Sequence, residues 1–310
     1  MQTVAVVMTA PGHAGLDLLD LSPPGEDDVV VDIDWSGISA GTERLLWTGR
    51  MPDFPGMGYP LVPGYESVGR IIEAGAGSGR SEGEIVFVPG ARCFGSTRGL
   101  FGGAAARLVT GGSRVVPIEA GMGERGTLLA LAATAYHAIA LQPPELLIGH
   151  GVLGRLIARI TIALGHPAPM VWEALPGRAS GADGYTVSTS EQDARRDYKT
   201  IIDASGDMAV LDTAIARLAP GGEVVLAGFY AGTLSFAFAP AFMREARLRI
   251  VAEWKPDDLK MVQRLLADRT LSLDGLITHR RRAVDAQAAY LTAFDDPECL
   301  KMILDWRTPA

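Results

Sequence analysis

Cysteine is nearly absent from this chain: its 310 residues include two, Cys93 and Cys299. Two thiols without ligand spacing exclude a disulfide framework and any cysteine-rich structural zinc site, and they suit a reducing, cytoplasmic location. Basic charge is also in deficit, with 28 Lys and Arg against 36 Asp and Glu and a net charge of −8. That balance argues against a nucleic-acid-binding surface and leaves no basic stripe for anionic membranes. No stretch reaches the ~18 uninterrupted apolar residues of a transmembrane segment. The opening MQTVAVVMTAPG lacks a basic region and a long apolar core, so no signal peptide is expected. Internal repeats and low-complexity tails are missing too. What is present, at 48% hydrophobic residues, is a globular chain long enough for two domains or one large one.

The most informative stretch is LLIGHGVLGRLIARI, from Leu146 to Ile160. It reads as an apolar strand, a turn with Gly149, Gly151 and Gly154, and an amphipathic helix, which is G-x-G-x-x-G in the setting a dinucleotide needs. The first glycine permits the tight turn, the second lets backbone approach a pyrophosphate, and the third lets helix pack on strand. The helix N-terminus, with Val152 and Leu153 in its first turn, faces the negative charge. Leu156, Ile160, Ala163 and Leu164 form an apolar face, with Arg155 and Arg159 on another. The next apolar segment, Pro169 to Trp172, ends at Glu173, about 20 residues on, where an acid meets ribose hydroxyls. A carboxylate there accepts from the ribose and repels the extra phosphate of NADP, so NAD is expected, with Arg178 nearby to soften the preference.

The first hundred or so residues read as strands punctuated by Gly and Pro: Val4–Met8, Val29–Ile33, Ser67–Glu73, Glu84–Val88 and Arg114–Ile118. A helix is expected over Thr127–Leu141, then the glycine strand. Further strands are expected at Thr200–Asp203 and Glu223–Phe229, with a helix Val210–Leu218 between them stopped by Pro220-Gly221-Gly222. A helix at Leu259–Ala267 follows, and the end, from Leu271, reads as strand, helix (Ala283–Phe294), strand. Alternating strands and helices imply a parallel sheet. The segment between Glu173 and Thr200 is short and polar for two βα units, so an abbreviated half-sheet is expected there.

Several motifs have counterparts in one superfamily. SGISAGTE (Ser36–Glu43) is similar to a G-I-C-x-T-D-type segment, PGYESVGRI (Pro63–Ile71) to P-G-H-E-x-x-G-x-V, and ATAYHA (Ala133–Ala138) to a T-x-Y helix start. With these the chain resembles the medium-chain dehydrogenase/reductase superfamily over nearly its whole length. The resemblance implies an α/β protein: a GroES-like β-rich catalytic domain over 1–122, a doubly wound Rossmann NAD-binding domain over 123–267, and a return to the catalytic domain over 268–310. It places Thr134, Ser205 and Gly206 of DASG, and Gly228, Phe229 and Tyr230 at the coenzyme. His150, inside the glycine turn, is expected beside the phosphates. The departures are as telling. Ser39, Tyr65 and Ala130 stand where the superfamily's catalytic zinc ligands fall, and the four-cysteine lobe is absent, so a metal-free member is expected. Residues 36–70 together with GHGVLGRLIAR further resemble the bacteriochlorophyllide a dehydrogenases of bacteriochlorophyll synthesis. That resemblance implies oxidation of a hydroxyethyl side chain of a chlorin-like ring to acetyl, with NAD, on a tetrapyrrole substrate. It leaves open a peripheral position at photosynthetic membranes. Superfamily members are commonly dimers or tetramers joined through the coenzyme domain, so a homodimer is one state it implies.

Alcohol oxidation needs a hydride acceptor and a group to take the hydroxyl proton. Tyr65 is the first candidate. Its ordinary pKa, ~10, demands a nearby cation or a relay; otherwise it orients the alcohol. Glu66 is a candidate electrostatic or relay partner, and Ser39 and Thr42 are candidates for a proton wire. His137 titrates in a useful range, although a packed helix residue is the plainer reading. The stretch Trp47–Pro60 carries Trp47, Met51, Phe54, Met57 and Tyr59, which suit a flat apolar ligand as a lid or pack on their own domain. Arg280-Arg281-Arg282 reads as a solvated face with Asp285 as partner. Two other readings stay open: a zinc-free NADPH-dependent enone or quinone reductase of the same superfamily, and a pigment- or cofactor-binding scaffold without catalysis.

Overall fold

A computed structural model describes residues 1–52 and 56–307. The chain forms two compact units, Met1–Ala130 with Asp274–Ala310, and Leu131–Leu273.

The first unit is built on β-sheets. Its larger sheet runs His279–Arg282, Met302–Asp305, Asp28–Ile38, Ser67–Ala74, Ile85–Val88 and Val116–Pro117, with Arg107–Gly111 also pairing on Asp28–Ile38. The Val-rich runs form strands because β-branched side chains fit a pleated, half-buried surface. Val29, Val30, Val31, Ile71, Val86 and Leu108 are buried in a single cluster. A second sheet runs His13–Asp20, Gln2–Ala10, Leu61–Val62 and Arg98–Gly99. The C-terminal strand Met302–Asp305 lies antiparallel to Asp28–Ile38, with Met302 opposite Ile38 and Ile303 opposite Gly37. This register sets Lys301, from the far end of the sequence, beside the end of the long strand.

The second unit is a six-stranded sheet in the order Thr186–Ser188, Met170–Trp172, Leu146–Ile148, Tyr198–Asp203, Leu218–Leu226 and Arg247–Ile250, every pair parallel. In chain order this is 3-2-1-4-5-6, the doubly wound arrangement, whose switch point lies at the carboxyl end of the first strand. That strand, Leu146–Ile148, is wholly buried and runs into the glycine turn and the helix Val152–Ala163. The half-sheet after Glu173 is abbreviated, as its polarity predicts. Between Trp172 and Tyr198 there is one short 3-10 turn, Pro176–Arg178, one three-residue strand and no α-helix.

Several boundaries differ from expectation. The helix before the glycine strand is Leu129–Ile139, and the strand expected over Arg114–Ile118 contracts to Val116–Pro117. Pro220-Gly221-Gly222 does not act as a loop. The helix Val210–Arg217 passes directly into a strand that carries these three residues, with a register irregularity in the neighbouring pairing. After Leu271 the strand is confined to His279–Arg282. Strands His13–Asp20 and Arg247–Ile250 escaped the sequence reading because they are largely exposed and lack a continuous apolar run.

Candidate functional site

Two constellations matter, one in each unit. In the first, the segment Ser36–Glu43 ends the long strand and begins the short helix Thr42–Trp47. Ser39 and Glu43 brace each other: the Glu43 N–H donates to the Ser39 carbonyl (3.0 Å) and the Ser39 N–H donates to Glu43 Oε1 (3.1 Å). The hydroxyls of Ser39 and Tyr65 are hydrogen-bonded at 2.7 Å, and Thr42 also hydrogen-bonds Tyr65. Ser39, Thr42 and Tyr65 are thus one hydroxyl cluster.

Behind it lies a charged group that sequence reasoning caught only in part. Glu66 is fully buried and ion-paired with Lys301, itself buried. Gly37 permits this, because a Cβ there would stand 2.4 Å from Glu66 Oε2 and 2.9 Å from Lys301 Cε. Glu66 Oε1 has no hydrogen-bond partner among the described residues. Glu43, also fully buried, accepts from the Tyr290 hydroxyl at 2.8 Å. Burial, reinforced by the Glu66 charge, pushes the Glu43 carboxyl up to about 7. With Lys301 balancing Glu66, a protonated Glu43 leaves the interior without net charge, the arrangement burial favours. Burial and then the Glu66 charge also drive the Tyr65 phenol far above its usual range, despite lowering by Ser39 and Thr42. The cation Tyr65 would need as a base is already committed to Glu66. Tyr65 is therefore held as a neutral hydroxyl, which weighs against the role of base first expected of it.

This donor set does not suit zinc. The Ser39 and Tyr65 hydroxyls satisfy each other, the adjacent carboxylate holds an ammonium, and no three His, Cys, Asp or Glu side chains among the described residues gather as a metal requires.

The lid reading is overturned for Trp47, which is 9% exposed and stacks on Tyr290 with ring centroids 5.6 Å apart. It sits there because the helix Thr42–Trp47 buries its apolar face in the core of its own unit. Met51, Met57 and Tyr59 pack against the same core, and the Tyr59 hydroxyl donates to the Leu46 carbonyl. Phe54 lies outside the described residues. Arg280 pairs with Glu124 (Nε to Oε2, 2.8 Å), and Arg282 stands 3.7 Å from Asp285.

In the second unit the glycine turn fits a dinucleotide. Gly149 has φ +98°, and a Cβ there would lie 2.9 Å from the Ser205 nitrogen; at Gly154 it would lie 1.9 Å from the Gly149 carbonyl. At Gly151 the nearest atom to a Cβ is Arg178 Nη1, at 4.0 Å, so that glycine keeps an open approach. Gly151 caps the helix without a side-chain hydrogen bond, leaving first-turn N–H groups at Val152 and Leu153 for an anion. Glu173 ends the neighbouring strand and accepts from the His150 N–H (2.9 Å) and the Leu175 N–H (2.8 Å). Asp203, fully buried, organises the opposite loops. It accepts from the Ser205 N–H (2.9 Å), the Ser205 hydroxyl (2.6 Å) and the Tyr230 hydroxyl, while its carbonyl takes the Ala227 and Gly228 N–H groups. These bonds hold Ser205, Gly228 and Tyr230 at the strand ends, with Gly206 and Phe229 next to them in the chain. Thr134 lies part-buried in the helix Leu129–Ile139.

Both candidate histidines have side-chain or backbone partners within their own unit. His137 Nδ1 stands 2.9 Å from Asp258 Oδ2, at the start of the helix Pro256–Ala267. The His150 ring, expected beside the phosphates, has both nitrogens engaged by the protein. It is fully buried between the Arg178 carbonyl (2.6 Å) and the Tyr185 hydroxyl (2.7 Å). Sequence reasoning missed Lys301, Glu43, Tyr290 and Asp203. A lysine inside the apolar run CLKMILDW signals a buried acidic partner, because lysine is seldom buried unpaired.

Residues 25–120 match the alcohol dehydrogenase GroES-like domain. The 2-desacetyl-2-hydroxyethyl bacteriochlorophyllide A dehydrogenase of Rhodobacter capsulatus is 56% identical, covering 99% of each chain. The enzyme of the same name from Cereibacter sphaeroides is 53% identical across 100% of both chains. In fold, the chain matches a short chain alcohol dehydrogenase from E. coli CFT073, solved in complex with NADH, with a TM-score of 0.81, 19% identity and coverage of 98% of this chain and 99% of that one. A nicotinamide coenzyme accords with this fold and with the glycine cradle. The chain belongs to the 2-desacetyl-2-hydroxyethyl bacteriochlorophyllide A dehydrogenase family, a branch of the alcohol dehydrogenases that carry a GroES-like domain.

Proposed function

We propose that this chain oxidises the 3-(1-hydroxyethyl) group of a bacteriochlorophyllide a precursor to 3-acetyl, using NAD and no catalytic zinc. The observation that carries the reading is the full-length identity to dehydrogenases bearing that substrate in their name. The carbinol C–H bond breaks with its electron pair, and the O–H bond breaks to leave a proton as the carbonyl forms. NAD, when bound, supplies the hydride acceptor. Gly149, Gly151 and Gly154 with the first turn at Val152 and Leu153 hold its pyrophosphate, and Glu173 its ribose. Thr134, Ser205, Gly206, Gly228, Phe229 and Tyr230 line the nicotinamide end. The Ser39–Tyr65–Thr42 hydroxyls orient the alcohol and pass its proton toward solvent, with Glu66 setting the local field. A carbinol attached to a conjugated macrocycle releases hydride readily, because the ring delocalises developing positive charge. That lessens the need for a Lewis acid.

NAD rather than NADP follows from the carboxylate of Glu173, which a 2′-phosphate would confront. The test is anaerobic. Protein, hydroxyethyl bacteriochlorophyllide and NAD are mixed, and the long-wavelength pigment band and NADH are followed together. A red shift with equimolar NADH, insensitive to chelator and faster with NAD than with NADP, is expected. Bound NAD with no NADH formed from the pigment would sink the reading.

We also infer a homodimer through the second unit. The strand Arg247–Ile250 ends its sheet with one edge unpaired among the described residues, and Phe238, Phe242, Met243 and Ile250 are largely exposed beside or on it. A second copy meeting this edge antiparallel covers both the backbone and the apolar side chains. Light scattering should give twice the chain mass, and Phe238→Asp with Ile250→Asp should return a monomer. A wild-type monomer at micromolar concentration refutes it.

A further inference from the structure

The segment joining the second and third strands of the coenzyme sheet has an unusual support. Residues 174–184 are mostly exposed, with a single 3-10 turn at Pro176–Arg178 and no α-helix to bury against the sheet. An apolar face cannot hold such a segment, yet it is tied down by polar groups. Arg155, in the first turns of the glycine helix, is 5% exposed. Its guanidinium donates to four carbonyls: His150 (3.0 Å), Arg178 (3.1 Å), Ser180 (2.7 Å) and Gly181 (3.0 Å). The His150 ring grips the same segment twice, donating from Nδ1 to the Arg178 carbonyl and accepting at Nε2 from the Tyr185 hydroxyl. A carbonyl cannot donate, so the Arg178 bond fixes this tautomer. The Tyr185 ring also meets His150 edge-on at 5.5 Å.

Two further contacts connect this clamp to ligand binding. The backbone N–H of His150 donates to Glu173, the acid assigned to the ribose. The Arg178 side chain reaches within 4.0 Å of the space above Gly151, the glycine where a phosphate approaches. The clamped segment therefore follows directly from the ribose-reading acid and borders the open side of the phosphate cradle.

We propose that Arg155, with His150 and Tyr185, is a positioning device for the coenzyme: it holds residues 174–185 in place as the wall of the adenosine-side subsite. The reading rests on the coenzyme assignment above. Its physical content is preorganisation. A segment ordered before binding costs the ligand nothing to order, whereas a loose one takes its ordering free energy out of the observed affinity. Five N–H donors on one planar group can hold several carbonyls that no lysine can match.

The test measures NAD binding directly, by calorimetry without pigment, alongside limited proteolysis of residues 174–185. Arg155→Met keeps much of the buried volume and removes the donors. Its Kd for NAD should rise about tenfold, while kcat at saturating NAD stays within about twofold. Cleavage in the segment should appear and be suppressed by NAD. Arg155→Lys should fall between, and Tyr185→Phe, which deletes one hydrogen bond and keeps the ring, should show a smaller rise in Kd. Should Arg155→Met fail to fold, Tyr185→Phe decides alone. A Kd unchanged in folded variants whose segment has become cleavable overturns the proposal, since the clamp would then order a segment that the coenzyme does not feel. Failure of the wild-type protein to bind NAD or NADP overturns the coenzyme reading itself, and this proposal with it.

Discussion

At the scale of the residue, the chemistry of the first unit is governed by hydroxyls and a buried charge balance. On the proposed reading Tyr65 keeps its proton, holds the alcohol and completes a wire with Ser39 and Thr42. Tyr65→Phe should lower kcat by about a hundredfold, leaving NAD affinity as it was; unaltered turnover of the pigment would remove Tyr65 from the mechanism. Glu43 sets a pH dependence whose sign is definite. Its folded pKa is raised to about 7 from 4.5, so the folded state binds the proton more tightly than the unfolded one. The stability this confers is fully present below about pH 4.5 and is lost as pH rises through 7. Glu66 is raised in the same direction. Urea midpoints should fall between pH 5 and pH 8, and Glu43→Gln should flatten that slope. An unchanged slope in the variant would mean that Glu43 is ionised throughout.

At the scale of the element, the glycine turn separates a fold requirement from a ligand requirement. At Gly154 a Cβ would press on the Gly149 carbonyl at 1.9 Å, which is backbone against backbone. Gly154→Ala should therefore lower the melting temperature as well as NAD affinity. At Gly151, among the described residues beyond its chain neighbours, no atom lies nearer than 4.0 Å to such a Cβ, so Gly151→Ala should fold normally and lose affinity alone. Equal stability losses in the two variants would contradict this division. The turn was legible in the sequence because its constraints are local: three spaced glycines, an apolar strand before and a 3.6-period helix after. The abbreviated half-sheet was legible as well, from polarity and length. Trp47 misled because an aromatic in a Gly/Pro-rich stretch carries no mark of which side it buries, and its partner Tyr290 lies 243 positions away, seated by tertiary packing. Lys301 and Glu66 were invisible as a pair for the same reason, and Asp203 stood within DASG without showing that it would gather the loops at Ser205 and Tyr230.

At the scale of the whole molecule, the first unit is discontinuous in sequence: the chain leaves it, builds the coenzyme sheet, and returns. The return strand Met302–Asp305 enters between His279–Arg282 and Asp28–Ile38, and it delivers the sole cation paired with Glu66 among the described residues. Lys301→Met should destabilise the protein by about 3 kcal/mol or more, because it strands a buried carboxylate. Adding Glu66→Gln should recover much of that loss; a double variant as unstable as the single would show that the lysine matters for packing rather than charge. The same lysine imposes an order in time. On the ribosome, the hydroxyl cluster and its carboxylates are synthesised long before Lys301, which lies 235 positions after Glu66, so Glu66 lacks this counter-ion until that residue has left the exit tunnel. A nascent chain has all of its second unit before that residue is made, yet its first unit must wait, so synthesis interrupted before Lys301 leaves Glu66 a buried acid without its ammonium.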